Sequence, residues 1–116
     1  MALSQAFNGP EDCWHPGSFK SGAQNLNKHF GDYKEPLKKL GYNTQNRSEY
    51  TKEALKFLAE NLGLPWRQTT VGKEIGKTIN GEKIRQFPGW KTVKDNVFLI
   101  VNETKDKIVN FGTEGK

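Results

Sequence analysis

The sequence predicts an α+β domain in which N-terminal helices pack on one face of a small antiparallel sheet, a meander. Three observations carry this expectation. Apolar residues recur at helical spacing in the first half of the chain, the helical period vanishes beyond Pro65, and short β-branched and aromatic runs separated by turn residues fill the second half.

Residues 1–20 hold Gly9, Pro10, Pro16 and Gly17 without a sustained period, so they read as an irregular arm that Trp14 and Phe19 would pin to the body. Residues 21–116 then form the single domain. Leu26, Phe30, Tyr33, Leu37 and Leu40 make one apolar stripe. Gly31 and Pro36 interrupt it, which predicts a helix from about Gly22 to Phe30, a break, and a short second helix with Pro36 in its first turn. Gly41 is the expected stop. Asn46 to Glu49 resembles a capping box, with Ser48 as a rival cap. The next helix has Tyr50, Ala54, Phe57, Leu58 and Leu62 on one face and Lys52, Glu53, Lys56 and Glu60 on the other. Gly63 and Pro65 end it.

Thr69–Ile79, rich in Thr, Gly and Lys, reads as a short edge strand or a loop. Asn80-Gly81 signals a turn. Lys83–Phe87 reads as a strand, and Val97–Asn102 as the central one because it is almost continuously apolar. Glu103–Asp106 is a charged turn before a last strand, Lys107–Phe111.

The 116 residues support one domain with a modest core. Only 34% are hydrophobic, and seven Phe, three Trp and three Tyr compensate by burying large areas each. The 18 Lys and Arg exceed the 13 Asp and Glu, for a net charge of +5. That balance suits either a polyanionic partner or solubility alone.

Several classes find no support. Cys13 is the only cysteine, and with His15 and His29 it is too little for a zinc cage without several carboxylates. No cofactor is expected, since the Gly-rich nucleotide-binding patterns are missing. Gly72 to Thr78 ends in Gly-Lys-Thr, but its spacing is short by one and no buried strand precedes it, so it reads as a basic loop. No apolar run approaches a membrane span. Met1–Phe7 lacks the charged start and apolar stretch of a signal peptide, so action in a cytosol, or delivery there as part of something larger, is expected.

The candidate site is basic. His29 borders the apolar face of the first helix. A lone histidine there reads first as a packed side chain hydrogen-bonded to a loop. Lys83 and Arg85 alternate along a strand and share a face, which a helix-covered face would reject, so they mark the open face or an ordinary solvated one. Lys107 with Val109 and Phe111, or Asn110 with Ile108, would line it from the last strand. Thr113 lies just beyond, placed to donate to a phosphate oxygen. Trp66, Trp90 and Phe87 flank the basic strand, placed to stack bases or to cover core edges. A histidine to move a proton and cations to hold a phosphate are what metal-independent RNA cleavage requires.

Leu26 to Phe30 with its His-Phe pair, Gly41-Tyr42, Ser48-Glu49-Tyr50, Ala54, Phe57, Asn80-Gly81, Asn96-Val97-Phe98 with Val101, and Ile108–Phe111 together resemble a pattern in C-terminal toxin domains of bacterial polymorphic and contact-dependent inhibition systems. That group is assigned to the barnase/colicin D/RelE-like ribonuclease superfamily. The resemblance runs from about Leu26 to Phe111. It implies a helix-then-sheet ribonuclease, often acting on tRNA, neutralised by a cognate immunity protein. Some members need a host factor such as elongation factor Tu. It implies release from the C-terminal end of a larger exported protein and delivery to a target-cell cytoplasm. It matches His29 to the family histidine and Arg85 to a basic strand residue. Lys83 and Thr113 join these as catalytic candidates, and Lys107, Asn110 and Trp90 as substrate-binding ones. The sequence departs from the pattern in its longer, Pro36-bearing segment after His29 and in Asn110, where Thr is common. A basic nucleic-acid-binding module without catalysis is the alternative.

Overall fold

In a computed structural model, residues 9–17, 19–71 and 87–115 are described. Helix α1 spans Gly22–Lys39 and α2 spans Arg47–Glu60. Strands β1 (Arg67–Val71), β2 (Phe87–Lys94), β3 (Val97–Asn102) and β4 (Ile108–Thr113) form one antiparallel sheet in chain order. Two N-terminal helices thus pack against an unclosed four-stranded antiparallel sheet, the α+β arrangement the sequence predicts.

Side-chain caps set the helix starts. Ser21 Oγ accepts the Gln24 N–H at 3.2 Å, and Asn46 Oδ1 accepts the Glu49 N–H at 2.9 Å, so Asn46 rather than Ser48 is the cap of α2. The reciprocal half of a capping box is replaced: the Glu49 carboxylate takes Asn43 Nδ2 at 3.2 Å. Gly41, at φ +99°, lies just beyond the end of α1 in a conformation that glycine adopts without strain.

One expected break does not occur. α1 runs unbroken through Gly31 and Pro36. Proline removes one backbone donor, but buried Leu26 and Leu37 anchor the helix on both sides of the gap. The apolar stripes are also shorter than they read: Leu40 and Leu62, each just past a helix end, are 49% and 59% exposed.

The sheet is the predicted meander, but its strand bounds differ from those expected. β2 runs from Phe87 to Lys94 through Pro88 and Gly89, beyond the point where the expected Lys83–Phe87 strand ends. Gly89 is required there, because a Cβ would meet Val71 Cγ2 at 2.5 Å and the Val101 carbonyl oxygen at 2.6 Å. Of the predicted Lys83–Phe87 strand only Phe87 is among the described residues. Asp95 and Asn96, both at positive φ, close the two-residue hairpin between β2 and β3.

A bulge in β4 rearranges its faces. Ile100 pairs with Asn110 while Val101 pairs with Ile108, leaving Val109 as the extra residue. Ile108 and Asn110 therefore face opposite ways, against the alternation expected from sequence. Leu99, Val101, Ile108 and Phe111 join Leu26, Leu37, Tyr50, Ala54 and Phe57 in the core. Phe111 sits among the rings of Tyr42, Tyr50 and Phe57, each with its centroid 5.7 Å away.

The N-terminal arm is part of this core. Its short 3-10 helix, Pro10–Cys13, leads into Trp14, which is 3% exposed, donates Nε1–H to Thr51 Oγ1 at 2.9 Å and stacks on Tyr50. The outer edge of β4 is satisfied by what lies beside it. The His15 N–H donates to the Ile108 carbonyl (2.8 Å), Asn25 Nδ2 to that of Val109 (2.9 Å), and the Tyr50 hydroxyl to that of Phe111.

Candidate functional site

Strand register decides which side chains share the face turned away from the core. Arg67 pairs with Lys91, Lys91 with Ile100, and Ile100 with Asn110, so these four form one cross-strand row. Val93, Phe98 and Gly112 make the next row. Leu99, Phe111, Thr92 and Thr113 point the other way, toward the helices.

α1 lies along the β4 edge and reaches onto this outer face through Tyr33. The Tyr33 ring covers Gly112 so closely that a Cβ there would come within 2.5 Å of Cδ1. It meets Phe98 edge-on at 5.6 Å, and the Asn110 side chain hydrogen-bonds its hydroxyl. Burial, then the charges of Asp32 and Glu114, push the Tyr33 phenol above its ordinary pKa, with the Asn110 bond opposing, so it stays protonated at neutral pH.

His29 lies one turn before Tyr33. Its ring stacks between Trp14 (6.3 Å, 19°) and Tyr33 (6.3 Å, 25°), with Phe19 edge-on at 6.0 Å. Three rings therefore hold the half-buried imidazole in place. Lys91 Nζ lies 5.0 Å from the Phe98 ring centre and 3.3 Å from Glu114 Oε2. Arg67 is exposed beside it. Two like charges directly across a strand pair repel, and Glu114 and the Phe98 ring moderate that repulsion.

The structure separates the sequence candidates. His29 and Asn110 are brought together through Tyr33. Lys83 and Arg85 lie outside the described residues. Thr113 is 5% exposed and on the core face, with Oγ1 unpartnered among the described residues, so β4 presents Asn110 and Thr113 to opposite sides. Lys107 Nζ donates to the Asp12 carbonyl at 2.6 Å and fastens the arm. Trp90 pairs with Val101 and faces the core side, where Lys105 Nζ lies 5.2 Å from its ring and 5.0 Å from that of Trp66. Its Nε1–H goes to the Glu103 carbonyl at 3.1 Å, so this indole face is covered by a cation of the chain itself.

Sequence reasoning missed Tyr33, Arg67 and Lys91. Tyr33 read as core, and Lys91 sits in a strand that Pro88-Gly89 concealed. The alternation of Lys91, Val93 and Thr92, Lys94 was the available signal. Burial raises the Cys13 thiol above its usual pKa, which keeps it protonated and unreactive. Among the described residues no three His, Cys, Asp or Glu side chains gather as around a metal ion, and no helix is long and apolar enough to cross a membrane. The chain matches no family model, no curated protein and no solved structure.

Proposed function

We propose that the chain is a metal-independent endoribonuclease of the bacterial toxin type, akin to the barnase/colicin D/RelE-like superfamily, and that RNA lies on the outer sheet face. One observation carries this reading. Arg67 and Lys91 stand side by side on the same face as Asn110, whose partner Tyr33 stacks on His29.

In this reading the two cations hold the phosphate oxygens and lower the cost of charge building on phosphorus. His29 moves the proton: the ribose 2′-oxygen loses it as the O2′–P bond forms, and the departing 5′-oxygen gains one as the P–O5′ bond breaks. The protonated Tyr33 hydroxyl, oriented by Asn110, donates to a phosphate oxygen. tRNA is the proposed substrate. An immunity protein with an acidic surface would cover the same basic row. Delivery from a larger exported protein into a target cytoplasm, with or without a host factor such as elongation factor Tu, completes the proposal.

The enclosure of His29 between Trp14 and Tyr33 favours a second reading, in which the histidine only packs and the face binds RNA without cutting it. The test mixes wild type and His29→Ala with bacterial tRNA and rRNA in excess EDTA, with and without cell extract. Fragments from wild type that a folded His29→Ala does not give support the ribonuclease. Activity only with extract supports a host factor. RNA bound but intact in every lane supports the binding module.

A further inference from the structure

His15 is the second histidine of the chain, and none of the chemistry above uses it. It lies where the arm passes the end of the sheet. Its backbone N–H is fixed to the Ile108 carbonyl at 2.8 Å and its carbonyl accepts Asn25 Nδ2 at 2.7 Å. Its ring meets Phe87 edge-on, with centroids 5.1 Å apart. Phe87, Gly89 and Lys91 alternate along β2, so Phe87 belongs to the same outer face as Lys91. Four residues of strand place it about 13 Å from Lys91.

The ring is also chemically fixed. The Gly17 N–H donates to His15 Nδ1 at 2.9 Å. A nitrogen that accepts a hydrogen bond carries no proton, so in the neutral imidazole the proton sits on Nε2. Protonating Nδ1 would set two N–H groups against each other. Burial, the largest effect, lowers the imidazole pKa; the Asp106 carboxylate opposes it and Lys107 adds to it. These two charges face His15 from the β3–β4 turn, Phe87 from β2 and Asn25 from α1 bring none, and Asp12 lies three residues back on the arm. His15 is thus a neutral donor held in one tautomer, unlike a proton-shuttling histidine. No described residue bonds to Nε2.

We propose that His15 forms a second phosphate-binding position on the outer face, with Nε2–H donating to a non-bridging oxygen of the RNA backbone and Phe87 positioning the ring. This rests on the reading that RNA lies on that face. A neutral donor suits binding at a distance from the reacting phosphate, because it holds the strand without competing for the proton that His29 moves.

The experiment follows the imidazole nitrogens of the wild-type protein by NMR while a 2′-O-methyl RNA oligonucleotide, which has no 2′-hydroxyl to react, is added. The Nε2–H tautomer should be present before addition and its resonance should move on binding, unchanged in protonation across the neutral range. His15→Ala should weaken binding roughly tenfold, the effect of losing one hydrogen bond to a charged group. His15→Gln, which keeps an N–H donor, should recover part of it, and both variants are checked for folding by their backbone spectra. A proton on Nδ1, or a His15 signal unmoved at saturation together with wild-type affinity in His15→Ala, overturns this site and leaves the RNA reading intact. No binding of the oligonucleotide to wild type overturns both.

Discussion

Tyr33 rests on the backbone of Gly112 with no room for a side chain beneath it: an added Cβ would approach Tyr33 Cδ1 to 2.5 Å. Through this contact α1 reaches the outer face of the sheet, and His29, one turn earlier on the same helix, stacks between Tyr33 and the core residue Trp14. Gly112→Ala should displace the Tyr33 ring, destabilise the fold by about 1–3 kcal/mol and lower RNA cleavage. Gly31→Ala is the control. Nothing lies within 4 Å of a Cβ at Gly31, which sits inside α1, so this change should stabilise by about 0.5–1 kcal/mol. Urea titrations of both variants read the difference.

Tyr50 is fully buried and its hydroxyl donates to the Phe111 carbonyl on the β4 edge. Tyr50→Phe keeps the ring stack and leaves that carbonyl unsatisfied. A loss of about 1–3 kcal/mol is expected, measurable by calorimetry with little change in the packing of Phe111.

Trp14 ties the arm into the core. Trp14→Ala should cost about 3–5 kcal/mol, and removal of residues 1–17 should cost at least as much, because the Ile108 carbonyl then loses its partner as well. An arm that only decorates the domain would be removed without effect on the thermal midpoint.

If Arg67 and Lys91 each contact a phosphate, Arg67→Ala and Lys91→Ala should weaken RNA binding irrespective of sequence. Each should also reduce the slope of log affinity against log salt by roughly one contact. Lys56→Ala, on an exposed face of α2, should leave the slope unchanged.

His15 links stability to pH. Its folded pKa lies below the ordinary value, so between the two the unfolded chain binds more protons. Its contribution to stability is complete above the ordinary histidine pKa and is lost as pH falls toward the folded one. Denaturation midpoints should drop over that acidic window in wild type, and drop less in His15→Gln.

The helices were legible because their signals are local. Ser21, Asn46 and Gly41 mark ends through backbone chemistry that tertiary contacts do not override. Pro36 misled because the loss of one helical donor is smaller than the gain from burying Leu26 and Leu37 on one rigid rod. β2 was hidden because Gly89 serves a close approach between strands, which no single segment reveals. The candidate site was half legible. His29 and Asn110 could be picked out by type, whereas Thr113 was placed with them in error, since β4 turns it toward the core. The β4 bulge likewise reverses Ile108. Lys107 and Trp90 carry the right chemistry, but the Asp12 carbonyl and Lys105 already engage them.

The proposed cleavage proceeds by attack of the ribose 2′-hydroxyl on the outer sheet face. Mass analysis of the ends of tRNA fragments made by wild type and by Lys91→Ala in excess EDTA tests it most directly. Wild type should leave 2′,3′-cyclic phosphate and 5′-hydroxyl ends, with the yield sharply reduced in a folded Lys91→Ala. Fragments bearing 5′-phosphate and 3′-hydroxyl ends, or no fragments from wild type even with cell extract present, would contradict it.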